Sequence, residues 1–188
     1  MRADVLILTG APGAGKTTVA AELAERFEKS VHIESDVFFH FLVRGHVEPW
    51  KAEAQPQNEM VFRAVAASTA AYAKAGYFTI VEGIVGPDSF FRPLARAIVA
   101  ETFSVAYAVL QVPLDVALGR ARARARLHRS PVIEHLWNAF SDLGPLDRHG
   151  VAVGDMSAQD IAAELLKLLS DTDRLLVRPA ELNDPASR

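Results

Sequence analysis

Hydrophobic residues in this chain occur in short continuous runs, separated by longer stretches with helical spacing. The runs cover residues 5–8, 31–33, 78–81 and 105–112, and a weaker one covers residues 151–153. Continuous apolar runs of this length are typical of strands that are buried on both faces of a parallel sheet. The sequence therefore predicts five strands.

The stretches between the runs predict helices. After the first run, Ala20, Leu23, Ala24 and Phe27 fall at i, i+3, i+4 and i+7 and form one apolar face. Strands that alternate with helices predict right-handed crossovers and a parallel sheet that is covered on both faces. The further helices are predicted at 37–43, at 58–75, at 90–100, from Pro113, from Pro131 and at 161–169.

Polar residues predict where three of these helices begin. Asp36 can cap the helix that follows the second strand, and Asp88 or Ser89 can cap the one that follows the third strand. Ser157 with Asp160 resembles a capping box before the last helix.

Length and composition are those of an ordinary globular domain. The chain has 188 residues, of which 50% are apolar and 23% are charged, enough for one domain with a core. We predict a domain over residues 1–170 and a C-terminal tail over residues 171–188, in which residues 175–177 could be tied down.

Several classes of protein are excluded by what the sequence lacks. A formal charge of -3 gives no general basic field, so bulk binding of nucleic acid is not predicted. Without cysteine the chain has neither disulfides nor thiolate metal sites. There is no signal-peptide layout, and no apolar run approaches the roughly 20 residues that span a bilayer. The expectation is a cytoplasmic protein without a membrane partner, either a monomer or a homodimer.

The motif with the clearest chemistry follows the first strand. Residues 10–17 fit the pattern G-x-x-x-x-G-K-[ST] in full, between a buried strand and an amphipathic helix. Glycine lets successive backbone N–H groups point at phosphate oxygens, and the helix that begins here adds the positive end of its dipole. A glycine-rich turn without a ligand is a poor alternative, because a lone lysine aimed into a ring of N–H groups serves no packing purpose. The predicted nucleotide-binding residues of this loop are Gly10, Gly13, Ala14, Gly15, Lys16, Thr17 and Thr18.

Individual side chains of the loop have distinct predicted roles. Lys16 reaches the β- and γ-phosphates, and the Thr17 hydroxyl can bind the Mg²⁺ ion that bridges them. Thr18 can offer a second hydroxyl to the α-phosphate. The predicted cofactors are ATP and Mg²⁺.

Two other classes of P-loop protein are disfavoured by the rest of the sequence. Asparagines occur at positions 58, 138 and 183, and none precedes a lysine, so the Asn-Lys-x-Asp motif of GTPases is missing. The acidic pair that ends a strand in many motor and clamp ATPases is also missing, because Glu82 is followed by Gly83.

Four features together resemble the shikimate/gluconate kinase-like group of P-loop kinases, and most closely chloramphenicol phosphotransferase-like proteins. They are the phosphate loop, Ser35-Asp36 after the second strand, Glu82-Gly83 after the third and an arginine-rich stretch after the fourth. The resemblance implies a P-loop NTPase fold of the α/β class, with a five-stranded parallel sheet in the order 2-3-1-4-5 and ligands at the carboxyl ends of the strands. It also implies a small arginine-rich lid at about residues 120–131.

The two carboxylates in these motifs, Asp36 and Glu82, are candidate site residues. Asp36 is expected to face the γ-phosphate, where it would accept or orient the proton of the acceptor hydroxyl or help to organise Mg²⁺, directly or through water. The alternative is that Asp36 only caps the next helix. Glu82 could hold a water bound to Mg²⁺ or contact the acceptor, or it could be a solvated residue at a strand end.

The arginine-rich stretch has five members over residues 120–129, which lie on several faces of a helix. At least half of them are expected to be solvated. The resemblance places Arg120 against adenine and Arg124, one turn later on the same face, at the transferring phosphate, where its charge would stabilise the transition state. Arg126 and Arg129 are second choices for that role.

The acceptor site is the least defined part of the prediction. Aromatic residues suit a flat or apolar acceptor and arginines suit an anionic one, whereas ordinary core positions explain at least two of the phenylalanines. The loop at 154–157 is a weak candidate for the adenine site. The candidate acceptor residues are Asp36, Phe38, Phe39, Phe41, Arg44, Trp50, Glu82 and Arg92.

The sequence thus predicts a phosphotransferase that moves the γ-phosphate of ATP to a hydroxyl of a small molecule, such as a metabolite, a nucleoside- or sugar-like compound or an antibiotic. Two alternatives stay open. One is a regulatory nucleotide-binding protein with slow or no ATP hydrolysis, and the other is a kinase that acts on a macromolecule or a nucleic-acid end.

Overall fold

The fold is built on a parallel sheet. The computed structural model of the protein describes residues 3–87, 89–123 and 130–183. Within them the strands are β1 (Val5–Gly10), β2 (Ser30–Glu34), β3 (Phe78–Glu82), β4 (Val105–Gln111) and β5 (Gly150–Ala152). All neighbouring strands are parallel and their order is β2-β3-β1-β4-β5, which confirms the predicted fold class.

The helices alternate with these strands. The lid that was predicted at residues 120–131 falls partly on residues 124–129, which lie outside the described residues. The helices are α1 (Lys16–Ala24), α2 (Ser35–His40), α3 (Gln55–Lys74), α4 (Phe91–Val99), α5 (Leu114–Ala123), α6 (Ser130–Ser141) and α7 (Ala158–Asp171).

The sheet divides the core into two layers, because successive side chains of a strand point to opposite faces. In β1, Leu6 and Leu8 join the cluster that contains residues of α1 and α7. Val5 and Ile7 join the cluster on the other face, which contains residues of α3 and α4. All four of these β1 side chains are fully buried. The continuous apolar run in the sequence therefore reflects a central strand that is covered on both faces.

Helix α2 begins differently from the prediction. It starts at Ser35, directly after β2, so Asp36 lies in its first turn and the residue in the capping position is Glu34. No side chain makes a capping hydrogen bond there. The prediction that Asp36 caps this helix is therefore wrong, and the carboxylate is available for another role.

Two other helix starts can be compared with their predictions. The capping residue of α4 is Phe90 rather than Ser89, whose hydroxyl donates to the carbonyl of Gly86, and Asp88 lies outside the described residues. The predicted cap of α7 is confirmed, because the Ser157 hydroxyl accepts a hydrogen bond from the Asp160 N–H at 3.1 Å, and the helix begins at Ala158 rather than at residue 161.

The segment after α7 packs against the sheet. Leu175 is buried, and its carbonyl accepts a hydrogen bond from the N–H of Tyr107 in β4. The N–H of Val177 donates to the carbonyl of Val105, and Leu176 forms an antiparallel bridge with Ala106.

Membrane-spanning segments are not a feature of the described part of the chain. None of its helices has both the length and the apolar character that crossing a bilayer requires.

Candidate functional site

The phosphate loop connects the carboxyl end of β1 to the start of α1. Gly13 and Gly15 both have positive φ angles, of 86° and 90°. A side chain on Gly13 would also collide with the carbonyl of Ala117 in α5, so this position has no room for a Cβ. Gly15 is the capping residue of α1, so the N–H groups of the first helical turn, which have no partner within the helix, lie at the end of this loop.

Lys16 lies across this loop. Its side chain is buried, and its ammonium group donates hydrogen bonds to the carbonyls of Gly10 at 3.0 Å and Ala11 at 3.2 Å. The Ala14 N–H donates to the same Ala11 carbonyl at 3.1 Å, which closes the turn. A buried cation that is held at a strand end by carbonyl groups can turn to a stronger anionic acceptor, such as a phosphate.

The third strand ends beside the first turn of α1. Glu82 is the last residue of β3 and is only 4% exposed. Its Oε1 accepts a hydrogen bond from the Thr17 hydroxyl at 2.9 Å. Thr18 is exposed, so the two threonines of the loop differ in their surroundings. The pairing of Thr17 with Glu82 brings together two of the predicted oxygen ligands for a hard cation.

Close packing at Gly83 sets the position of Asp36. A Cβ on Gly83 would overlap the Ser35 hydroxyl, and it would lie 3.6 Å from Oδ1 of Asp36. The first turn of α2 therefore lies directly against the end of β3. Since α2 follows β2 without an intervening residue, the Asp36 carboxylate is held at the carboxyl edge of the sheet.

The surroundings of Asp36 change its acidity. Although the residue keeps exposed surface, the protein around the carboxyl group desolvates it, and this burial raises its pKa above the ordinary value. The charge of Lys16 opposes the rise in pKa, and the charge of Glu82 adds to it. Lys16 and Glu82 are thus both close enough to Asp36 to influence its ionisation.

Thr9 is a supporting residue that the sequence analysis missed. Its hydroxyl donates to the carbonyl of Gly83 at 2.9 Å and accepts from the N–H of Val85 at 3.0 Å, so β1 fixes the loop that follows β3. The available signal in the sequence was a hydroxyl residue directly after the apolar run of residues 5–8, and the structure shows this threonine fully buried with hydrogen-bond partners.

The predicted acceptor residues fall into different surroundings. Phe39 is buried in the core, where its ring contacts Phe62 edge-on. Arg44 and Trp50 are exposed on the segment between α2 and α3. Arg92, in the first turn of α4, is partly buried and donates to the carbonyl of Pro87 at 2.8 Å.

The exposed segment between α2 and α3 is fixed to the protein. The Gln57 side chain forms two hydrogen bonds with the backbone of Val47, at 2.8 and 2.7 Å. The buried Asn58 side chain donates to the carbonyl of Pro49 at 2.8 Å. Trp50 is therefore an exposed aromatic residue on an anchored loop, which suits contact with a ligand.

The residues predicted for adenine and for the lid are only partly described. Arg120 is exposed near the end of α5, and Arg124, Arg126 and Arg129 lie outside the described residues. In the loop after β5, Gly154 has a positive φ of 42° and partly exposed surface.

Two cavities lie at opposite edges of the sheet, and only one of them adjoins the phosphate loop. One of 520 Å³ lies at the opposite edge of the sheet, where Asp4 precedes β1 and Tyr77 precedes β3. A smaller one of 280 Å³ lies beside the phosphate loop, between Ala11, Gln111 at the end of β4 and Trp137 of α6. Ligands of open α/β sheets bind at the carboxyl edge, so the smaller cavity belongs to the candidate site and the larger one does not.

Comparisons with known proteins agree with this architecture. Residues 5–143, more than half of the chain, match the AAA_33 family, which is described as an AAA domain. No curated protein sequence matches the chain.

Three solved structures are similar along most of their length. The Deinococcus radiodurans tunicamycin resistance protein has a TM-score of 0.68 and 20% identity, over 93% of this chain and 99% of its own. The Mycobacterium tuberculosis APS kinase, solved with AMPPNP and APS, has a TM-score of 0.69 and 17% identity, over 90% and 99%. The Acinetobacter baumannii shikimate kinase, solved with shikimate, has a TM-score of 0.58 and 20% identity, over 88% and 92%.

Identities this low establish a shared fold and do not transfer a substrate. The predicted resemblance to shikimate and gluconate kinase-like proteins is confirmed at the level of the fold. The chain belongs to the AAA_33 family.

Proposed function

We propose that the protein is a phosphotransferase that uses ATP and Mg²⁺ to phosphorylate a hydroxyl group of a small molecule. The observation that carries the proposal is the position of Asp36, which lies against Gly83 at the end of β3, within electrostatic reach of Lys16. A desolvated carboxylate beside a phosphate loop supports this proposal, because a carboxyl group with a raised pKa is better suited to accept the proton of an acceptor hydroxyl.

The phosphate loop would bind the triphosphate of ATP. Its backbone N–H groups and the start of α1 supply the cradle, and Lys16 would exchange its carbonyl partners for phosphate oxygens. Gly10, Gly13, Ala14, Gly15, Thr17 and Thr18 are the proposed contact residues of the loop, and Arg120 is proposed for the adenine base.

The donor set at the end of β3 fits Mg²⁺. This ion prefers oxygen ligands, and the Thr17 hydroxyl and the Glu82 carboxylate are already paired. Thr17 would hold the ion directly, while Glu82 and Asp36 would hold it directly or through water. When bound, Mg²⁺ neutralises charge on the phosphates.

Asp36 would act on the acceptor. Its carboxylate would accept or orient the proton of the acceptor hydroxyl, and Lys16 would stabilise charge on the phosphoryl oxygens. Arg124 is proposed as a second cation for the transferring phosphate, supplied by the predicted lid at residues 120–131. Transfer would then depend mainly on positioning and charge neutralisation.

The acceptor site is proposed to extend from Asp36 over the segment that follows α2. Phe41 is 67% exposed and Trp50 is 62% exposed, which suits the apolar or flat part of an acceptor. Arg44 is exposed on the same segment and Arg92 is partly exposed on α4, and both suit anionic groups. The buried Phe39 would support this surface from the core. A metabolite, a nucleoside- or sugar-like compound or an antibiotic in the cytoplasm matches this description.

The proposal is tested by acceptor-dependent release of ADP. The full-length protein with ATP and Mg²⁺ is screened against a library of compounds that carry hydroxyl groups, and each hit is checked for a phosphate ester by ³¹P NMR. For an authentic acceptor, we expect Asp36→Asn to lower kcat by about 10² to 10⁴, the usual contribution of a general base, and to keep the thermal shift that ATP produces. Lys16→Ala should lose that shift.

Asp171→Asn is the matched control, because it removes an exposed carboxylate at the end of α7, a helix that carries none of the proposed site residues. Transfer that persists at the wild-type rate in Asp36→Asn would contradict the proposed role of Asp36. ATP binding with slow, acceptor-independent hydrolysis would instead favour a regulatory nucleotide-binding protein, and ester formation only on a polynucleotide end would favour a nucleic-acid kinase.

A further inference from the structure

Three residues with metal-binding side chains meet on one face of the sheet beside the phosphate loop. In the parallel pairing of β2 with β3, His32 lies opposite Ile80 and Glu34 lies opposite Glu82. His32 and Glu34 are two residues apart, so their side chains lie on the same face of β2, and register places Glu82 next to them. This cluster uses residues that the sequence analysis did not connect.

The distances within the cluster are short. Single ligand atoms of His32, Glu34 and Glu82 all lie within 4.8 Å of one another, and Nε2 of His32 is 3.8 Å from Oε1 of Glu82. The Glu82 side chain is 6% exposed and that of His32 is 17% exposed, whereas Glu34 is exposed. Two ligands are therefore held by the sheet, and the third can approach from the solvent side.

One ring nitrogen of His32, Nε2, is buried without a hydrogen-bond partner among the described residues. Its distance to Glu82 is too long for a hydrogen bond. A buried polar atom without a partner is rare in native proteins and requires an explanation. A cation between this nitrogen and the carboxylate would satisfy both groups.

We propose that His32, Glu34 and Glu82 bind one divalent transition-metal ion, for which Zn²⁺ is the representative. One imidazole and two carboxylates suit a borderline ion such as Zn²⁺ or Co²⁺, whereas Mg²⁺ prefers oxygen ligands alone. Ligands at about 2.0–2.2 Å from a common ion are separated by about 3.0–3.6 Å, so the side chains would move inwards by about 1 Å. The exposed Glu34 can make most of this movement.

The proposed site adjoins the phosphate loop through a shared carboxylate. Oε1 of Glu82 accepts the hydrogen bond from Thr17 at 2.9 Å and is also the atom nearest to His32. An ion bound to Glu82 would withdraw electron density from that oxygen and weaken its bond to Thr17. Binding of an ion to the cluster would thus change the hydrogen bonding of Thr17 in the first turn of α1.

The proposal is tested by titrating the full-length protein with Zn²⁺ by calorimetry, in the absence of nucleotide, and with Co²⁺ by visible absorption. We expect one ion per chain and a Co²⁺ band from mixed nitrogen and oxygen ligands. His32→Ala should weaken Zn²⁺ binding by at least about 10-fold and abolish the band, because loss of a direct ligand costs at least as much as loss of an outer-shell partner. His135→Ala removes an exposed histidine of α6 and should change neither signal.

Glu34→Gln keeps the experiment decisive if the His32 variant fails to fold, since Glu34 is exposed and its replacement leaves the core intact. It should also weaken Zn²⁺ binding measurably. The proposal is overturned if the wild-type protein binds neither ion, if Glu34→Gln or a folded His32→Ala binds as the wild type does, or if His135→Ala weakens binding equally. Because no ATP is present, these outcomes leave the proposed kinase activity untouched.

Discussion

Asp36 combines two requirements that oppose each other. Its position against the end of β3 is the one proposed for contact with an acceptor hydroxyl, and the same position desolvates the carboxyl group and raises its pKa. Lys16 offsets part of this effect, and Glu82 adds to it. Carboxyl groups that act as bases commonly have a pKa that the fold raises, because the fold disfavours their ionised form.

Asp36 should therefore lower the stability of the folded protein at neutral pH. Because its pKa in the folded state lies above the ordinary value of 3.8, the unfolded chain loses this proton more readily, and the cost of ionisation is present at neutral pH and disappears as the pH falls below 3.8. Asp36→Asn should melt at a higher temperature than the wild type at neutral pH, by a few degrees at most, since solvent screens the partly exposed carboxylate.

This prediction is checked by thermal unfolding of both proteins at neutral pH and at a pH below the ordinary carboxyl value, where the two melting temperatures should converge. Asp171→Asn provides the comparison for a solvated carboxylate. An Asp36→Asn variant that is less stable than the wild type at neutral pH would show that the native carboxylate is stabilised rather than strained.

Among the elements, the contact between α2 and the end of β3 matters most for the site. Gly83 allows Ser35 to approach so closely that no side chain fits between them. Thr9 of β1 holds the same backbone through its hydroxyl group. The position of α2, and with it that of Asp36, therefore depends on Gly83, which is not itself one of the proposed contact residues for ATP, Mg²⁺ or the acceptor.

Gly83→Ala should separate nucleotide binding from phosphoryl transfer. The added methyl group overlaps the Ser35 hydroxyl, which must rotate away, and it lies 3.2 Å from the Ser35 Cβ, which pushes the first turn of α2 away from β3. A displacement of up to about 1 Å in a reacting group can cost about 10²-fold in rate. We expect kcat with an identified acceptor to fall by about that factor, while ATP binding by the phosphate loop changes little. Steady-state kinetics and ATP titration measure the two effects.

Gly119→Ala is the control for this experiment, because a Cβ at that position of α5 meets open space. If Gly83→Ala transferred phosphate at the wild-type rate, the close contact with Ser35 would not be what positions Asp36.

The sequence predicted the strands well and the starts of the helices less well. Central strands are buried on both faces, so a continuous apolar run such as residues 105–112 has few other interpretations. Helix α2 has no capping side chain, and its start is set by tertiary contact between Ser35 and Gly83, which leaves no local signal. The same reason explains why His32 escaped notice, since only the register of β2 against β3 brings it to Glu82.

At the scale of the whole molecule, an ion-pair network connects the C-terminal segment to the body of the protein. The guanidinium of Arg148 donates to both carboxylate oxygens of Glu181, at 2.7 and 2.9 Å, and to the carbonyl of Arg174 at 2.7 Å. His149 is fully buried and lies 3.0 Å from the Tyr107 carbonyl and 3.3 Å from Glu181. Burial lowers the pKa of His149, so the neutral imidazole is favoured.

Glu181→Gln should destabilise the protein by about 2–3 kcal/mol, because it leaves the partly buried Arg148 without its counter-ion while the carbonyl acceptors remain. Burial raises the pKa of Glu181, but hydrogen bonds from Arg148 and from the Arg178 N–H outweigh it and hold the pKa below 4.5. The stability that Glu181 contributes is therefore present above pH 4.5 and is lost as the pH falls through the lowered value. Urea unfolding measures both effects.

Glu101→Gln breaks an exposed ion pair with Lys74 and should cost less than about 1 kcal/mol. If both variants lost the same free energy of unfolding, the network around Glu181 would contribute no more to stability than an exposed ion pair does.

The packing of residues 175–177 along β4 has a consequence for a chain that is cut short. Within the described residues, strand β5 pairs with Val109, Leu110 and Gln111 alone, so the opposite end of that side of β4 is closed by Leu175 and Val177. A chain truncated after Asp171 would contain all five strands and still present unpaired backbone groups of Val105 and Tyr107, the kind of edge that recruits other chains. The half-dozen residues that follow α7 therefore protect a sheet edge from aggregation, although they add no strand to the sheet.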